Sequence, residues 1–108
     1  MNLRFESDTL RFRVNARELD QLLANGSLTG VTPLPAGSFR YAIELVEGEH
    51  WDLVGDLRQL QLRLPRLDVL GHKASLPSKA GIARTLTANG GVIEVRFEVD
   101  VKKEKGAR

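Results

Sequence analysis

The chain has 108 residues, 42% hydrophobic and 28% charged, with sixteen lysines and arginines, fourteen acids and no cysteine. That length and composition suit one globular domain, burying roughly 60–70% of the unfolded chain's surface around its own core, and exclude a disordered polypeptide. Without cysteine there is no disulfide, thiolate metal site, thiol nucleophile or iron–sulfur ligation.

The formal net charge of +2 is unevenly spread. The last seven residues hold Lys102, Lys103, Lys105 and Arg108 against Glu104, leaving twelve basic and thirteen acidic residues, a formal charge of −1, in the rest. The expectation is one α+β domain over residues 1–101 and a basic disordered tail over 102–108, with nucleic acid an unfavoured partner. No apolar segment follows the charged opening Met1 to Asp8, and no stretch approaches the ~20 apolar residues that span a bilayer. A soluble cytoplasmic protein with no membrane association is therefore expected, and the absence of cysteine agrees with a reducing compartment.

Two short alternating runs open the chain: Leu3 and Phe5, then, past Ser7-Asp8, Leu10, Phe12 and Val14. Period-two alternation predicts an opening hairpin with one wet face. At Asn15 the period changes. Asn15 three residues before Glu18 is a capping-box start, Leu19, Leu22 and Leu23 follow at helical spacing, and Asn25-Gly26 supplies a left-handed stop, so one short helix is predicted over 16–25. Leu28 to Thr32 reads as a short strand, ended by a turn region at Pro33-Leu34-Pro35-Ala36-Gly37. Three alternating runs follow: Phe39 to Leu45, His50 to Val54, and Leu60 to Leu64, stopped by Pro65. Their short connections predict an antiparallel meander. Residues 66–79 read as irregular with at most a helical turn, interrupted by Gly71 and Pro77. Asn89-Gly90 between Ile82–Thr87 and Val92–Val101 predicts a closing hairpin, the last strand pointing Ile93, Val95, Phe97, Val99 and Val101 to the core. The expected architecture is a predominantly antiparallel, strongly twisted sheet of seven to eight strands, curling toward a partial barrel with the helix flanking it, and no internal repeat.

The opening Leu10-Arg11-Phe12-Arg13-Val14-Asn15 with Glu18-Leu19, the Phe39-x-Tyr41-x-x-Glu44 strand, Gly81-Ile82, and the final strand with Glu98 and Asp100 resemble a family of small bacterial proteins described as a domain of unknown function. The resemblance implies the fold and a bacterial cytoplasm. It carries no activity, substrate or catalytic residue.

The chemistry-bearing residues are few. Glu47, Glu49, His50 and Asp52 crowd one stretch, but as a charged turn between strands and not as a metal site, so neither metal nor cofactor is expected. Five serines fall in turns, none in a Gly-x-Ser-x-Gly elbow, and Ala88-Asn89-Gly90-Gly91 precedes a strand where a phosphate loop would precede a helix. Glu98-x-Asp100-x-Lys102 loosely resembles the acidic-acidic-basic signature of triphosphate tunnel enzymes, at the wrong end of the chain. Arginine outnumbers lysine eleven to five, and Arg4, Arg11, Arg13, Arg40, Arg63, Arg84 and Arg96 read as polar-face residues of strands, where the planar guanidinium suits carboxylate or phosphate. The six aromatics share the apolar phase, which reads as core. The preferred reading is a non-catalytic binding or regulatory module, with a homodimer or protein partner open. The alternative is a binder or hydrolase of a phosphorylated or other anionic small molecule, with Arg11, Arg13, Arg40 and Glu44 as ligand-binding residues. Nucleic-acid binding comes last.

Overall fold

The computed structural model describes residues 1–77 and 80–100. The tail predicted over 102–108 lies outside them. The elements in chain order are β1 (Asn2–Phe5), β2 (Thr9–Val14), α1 (Ala16–Asn25), β3 (Ser27–Leu34), β4 (Gly37–Val46), β5 (Asp52–Gly55), β6 (Gln59–Pro65), α2 (Arg66–Ala74), β7 (Ile82–Ala88) and β8 (Gly91–Val99).

Locally, the alternation and capping signals act as predicted. β1 and β2 pair antiparallel, and so do β7 and β8, turned by Asn89 and Gly90, both at positive φ. The Asn15 side chain accepts from the Glu18 N–H while Glu18 accepts from the Asn15 N–H, and Gly26 ends α1 in the left-handed region. β3 runs longer than predicted, through Pro33 to Leu34. As an edge strand it tolerates a proline, so the turn shrinks to Pro35-Ala36.

The assembly differs from the expected single antiparallel sheet. The described residues form two four-stranded sheets, β1-β2-β8-β7 (sheet A) and β3-β4-β6-β5 (sheet B), and neither closes into a barrel. Each has a parallel pair at its centre, β2 with β8 and β4 with β6. Short connections exclude parallel pairing only between consecutive strands. Here β5 lies within the β4–β6 connection, and most of the chain separates β2 from β8. The predicted meander is corrected accordingly: β5 pairs with β6 alone. Residues 66–74 are a second helix, not an irregular segment, because Val69 and His72 supply one buried stripe and Gly71 lies on the outer side, where nothing presses on it.

The chain also repeats itself, against expectation. The order hairpin–helix–hairpin occurs twice, as β1-β2-α1-β3-β4 and as β5-β6-α2-β7-β8. Each sheet takes one hairpin from each half, and α1 and α2 carry the chain between sheets. Leu10 answers to Leu60 and Val14 to Leu64, a shift of fifty, while Gly37 answers to Gly91 and Glu44 to Glu98, a shift of fifty-four. The two registers superpose under these shifts: Arg13 opposite Glu98 in sheet A corresponds to Arg63 opposite Glu44 in sheet B. Even isolated backbone bonds recur, Glu6 N to Thr9 O matching Asp56 N to Gln59 O, and Glu94 N to Asp8 O matching Arg40 N to Arg58 O. Identity between the halves is slight, and the four-residue difference in spacing hides it from a fixed-period search.

The inner faces of both sheets and the buried stripes of both helices meet in one core: Leu10, Phe12, Val14, Val95, Phe97 and Val99 from sheet A, Ile43, Leu45, Leu62 and Leu64 from sheet B, with Leu19, Leu22, Val69 and Trp51. Each such side chain contributes roughly 1.5–3 kcal/mol on burial. The aromatics follow the apolar phase, but Phe5 is 64% exposed at the end of its strand, packed on Phe39 at 6.1 Å, which in turn lies 5.7 Å from Tyr41. The Tyr41 ring lies over Gly30, where an added Cβ would stand 2.5 Å from it.

Candidate functional site

Because the side chains of a strand alternate, the register that points Ile43, Leu45, Leu62 and Leu64 inward points Arg40, Ala42, Glu44, Gln59, Gln61 and Arg63 outward from sheet B. The same rule points Thr9, Arg11, Arg13, Glu94, Arg96 and Glu98 outward from sheet A. These two outer faces are counterparts under the internal repeat, and they carry different chemistry.

The face of sheet A is filled by its own ion pairs. Glu98 sits under the arginines, only 7% exposed; it accepts hydrogen bonds from Arg11 Nη1 at 2.6 Å and Arg96 Nε at 3.4 Å, and forms an ion pair with Arg13 Nε at 3.4 Å. Arg11 also bonds Glu6 at 3.1 Å, and Arg96 reaches Glu94 at 3.4 Å. Burial pushes the Glu98 carboxyl up, but the hydrogen bond and charge of Arg11, with Arg96 and Arg13 behind it, hold it below the ordinary value. The cavity lined by Asn2, Arg4, Arg11, Arg13 and Glu98 measures about 10 Å³, room for about one water at most.

The face of sheet B holds a cleft of about 380 Å³. Its outward-pointing lining is Arg40, Gln59 and Gln61 with Thr29, over an apolar floor of Ala42, Val54 and Val31. The repeat explains why it is open. Ala42 stands where sheet A has Arg96, Gln61 where it has Arg11, and Val54 where it has Arg4. Where sheet A places three arginines, two of them ion-paired, sheet B places a methyl group, an amide and a valine. Arg40, the one charged residue of the lining, occupies the position of Glu94 and has no carboxylate partner among the described residues. Glu44 is engaged with Arg63 at 3.5 Å, the pair corresponding to Glu98 with Arg13.

The rim is held by the β5–β6 turn. Gly55, at φ +130°, brings its backbone so close to β6 that an added Cβ would lie 2.2 Å from the Gln59 carbonyl. Asp56 Oδ1 accepts from the N–H groups of Arg58 (2.8 Å) and Gln59 (3.3 Å), and these bonds lower its carboxyl below the usual value. The Arg40 N–H donates to the Arg58 carbonyl at 2.9 Å, which fixes the Arg40 backbone beside Gln59.

The four ligand-binding candidates from the sequence are therefore divided. Arg11 and Arg13 lie on sheet A, paired with Glu98, and Arg40 and Glu44 lie on sheet B, where only Arg40 lines the cleft. Arg84 is not on a polar face: opposite Val95, it shares the phase of Ile82, its guanidinium 5.2 Å over the Trp51 ring and 3.6 Å from Asp68, which accepts from Trp51 Nε1 at 2.8 Å. Sequence reasoning missed Gln59, Gln61, Ala42 and Val54 as lining residues. The signal was there, in an uncharged outward phase on β6 and a lone alanine between Arg40 and Glu44, but only the cross-strand register joins them. Among the described residues no three His, Asp or Glu side chains are grouped to hold a metal ion, and no helix is long and apolar enough to cross a membrane.

The model of a family of unknown function, DUF7009, matches residues 1–103. No curated protein and no solved structure matches the chain.

Proposed function

The chain belongs to DUF7009, a family of unknown function that lends no activity, and on the contrast between its two sheet faces we propose that it is a cytoplasmic, non-catalytic binding module of one domain whose binding surface is the cleft on sheet B. The observation carrying this reading is a difference between two equivalent faces of one fold: the cavity beside Arg4, Arg11 and Glu98 on sheet A measures about 10 Å³, and the cleft over Ala42, Val54 and Gln61 on sheet B about 380 Å³. The larger volume falls in the range that takes small ligands, with a few polar groups converging over an apolar floor. A face whose only task was to stay wet would tolerate the ion pairs its counterpart carries. Sheet B omits them at the positions of Ala42 and Gln61, and has a valine at the position of Arg4.

The Ala42→Arg variant tests this. It gives sheet B the arginine that its counterpart has as Arg96, next to the acid Glu44, so the fold has an internal precedent for accepting it. In a ligand-observed NMR fragment screen, fragments bound by the wild type should lose their signal in the variant while its melting temperature holds. Fragments that bind both proteins alike, or a wild type that binds none, would overturn the proposal.

A further inference from the structure

We infer that the ligand of the sheet B cleft is an organic monocarboxylate with a flat apolar body, its carboxylate held by Arg40. The inference rests on the binding-module reading and adds the chemical class.

Three features of the lining select that class. First, Arg40 supplies one full positive charge with no carboxylate partner among the described residues, and Glu44, the acid on the same strand, is already engaged by Arg63. A lone guanidinium presents a planar fork that a carboxylate matches with two parallel N–H···O bonds. Second, the cleft lacks what a phosphate group ordinarily meets. Among the described residues its lining holds no lysine, no second arginine and no helix N-terminus, since all of it comes from β3, β4, β5 and β6. Gln59 and Gln61 add amide donors and acceptors beside Arg40, enough to complete the hydrogen bonding of one carboxylate without a second charge. Third, Ala42, Val54 and Val31 make an apolar floor, with Val31 51% exposed. That floor gains nothing from a small hydrophilic anion, and covering it requires a ligand with apolar surface next to its charge. A twisted sheet bounding a cleft of about 380 Å³ accommodates a fused-ring or branched body better than a long chain.

The test uses three probes of one shape: 2-naphthoate, 2-naphthamide and 2-naphthyl phosphate, titrated by calorimetry into the wild type, Arg40→Gln, Arg40→Lys and Ala42→Arg. Arg40 is exposed, so its substitutions leave the core alone. The expected result is that the wild type prefers the carboxylate to the amide by about tenfold or more, the worth of one charge-assisted pair, and binds the phosphate more weakly than the carboxylate because a single guanidinium leaves its second charge unmatched. Arg40→Gln should erase the preference, Arg40→Lys should retain part of it because the charge stays while the fork is lost, and Ala42→Arg should abolish binding of the uncharged amide, which reads the filled floor apart from the added charge. If the amide or the phosphate binds as well as the carboxylate, and Ala42→Arg still abolishes binding of the amide, the monocarboxylate class is wrong and the cleft stands. If no probe binds, or binding of the amide survives Ala42→Arg, both the class and the site are overturned.

Discussion

Replacing His72 by leucine should stabilise the protein and remove part of its acid sensitivity. His72 lies on the buried stripe of α2, 6% exposed, its ring edge-on to Phe97 at 6.3 Å, and its Nε2 has no hydrogen-bond partner among the described residues. The repeat states what the fold would accept there: the equivalent residue on α1 is Leu22, fully buried. An unsatisfied buried polar atom costs about 1–3 kcal/mol, and a near-isosteric swap in a packed core costs less than about 1.5. The net expectation for His72→Leu at pH 7.5 is a gain of about 1 kcal/mol, or roughly 4–6 °C in melting temperature. The pH dependence is the sharper readout. Burial pushes the imidazole below its ordinary value of 6.5, so below that pH the unfolded chain binds a proton that the folded one resists. The stability this histidine leaves intact above 6.5 is lost as pH falls toward its folded value, with a slope of at most about 1.4 kcal/mol per pH unit. The charged groups beside it, Asp68 on its own helix and Arg84 on β7, are engaged with each other and with Trp51. Urea unfolding of wild type and variant at pH 7.5, 6.5 and 5.5 should show a gap that widens with acid. A constant gap would refute the reasoning, and so would a less stable variant.

Two further outcomes follow from the same packing. Glu98→Gln removes the carboxylate that Arg11, Arg13 and Arg96 share, and should destabilise by about 1–3 kcal/mol, discounted from the value of a fully buried pair because the arginines remain partly exposed. Because the Glu98 carboxyl titrates below its ordinary value of 4.5, its contribution is present above that pH and lost as pH falls through the folded value, so urea midpoints of wild type and variant should converge in acid. Gly55→Ala sets a Cβ 2.2 Å from the Gln59 carbonyl at φ +130°, with backbone rather than side chain in the way, and should cost about 2 kcal/mol or more. It should also weaken any ligand of the cleft it lines; thermal denaturation and the naphthoate titration check the two parts.

The local elements are legible in residue spacing. The Asn15–Glu18 capping box, the Gly26 stop, the Asn89-Gly90 turn and the alternation of apolar residues each act within a few positions, so the first helix and both terminal hairpins were readable from spacing alone. Even the halves of the candidate site were visible: Arg11, Arg13, Arg40 and Glu44 all stand on outward phases, as alternation requires. Which of them meet was decided by pairings between distant strands. The β2–β8 register brings Glu98 under Arg11 and Arg13, and the β4–β6 register places Arg40 beside Gln59 with Ala42 beside Gln61. No local signal distinguishes Arg13, closed by Glu98, from Arg40, left open over a methyl group. A strand's own residues fix which side chains face outward, whereas the neighbours across that face come from the partner strand, and the partner is chosen by burial of the whole core.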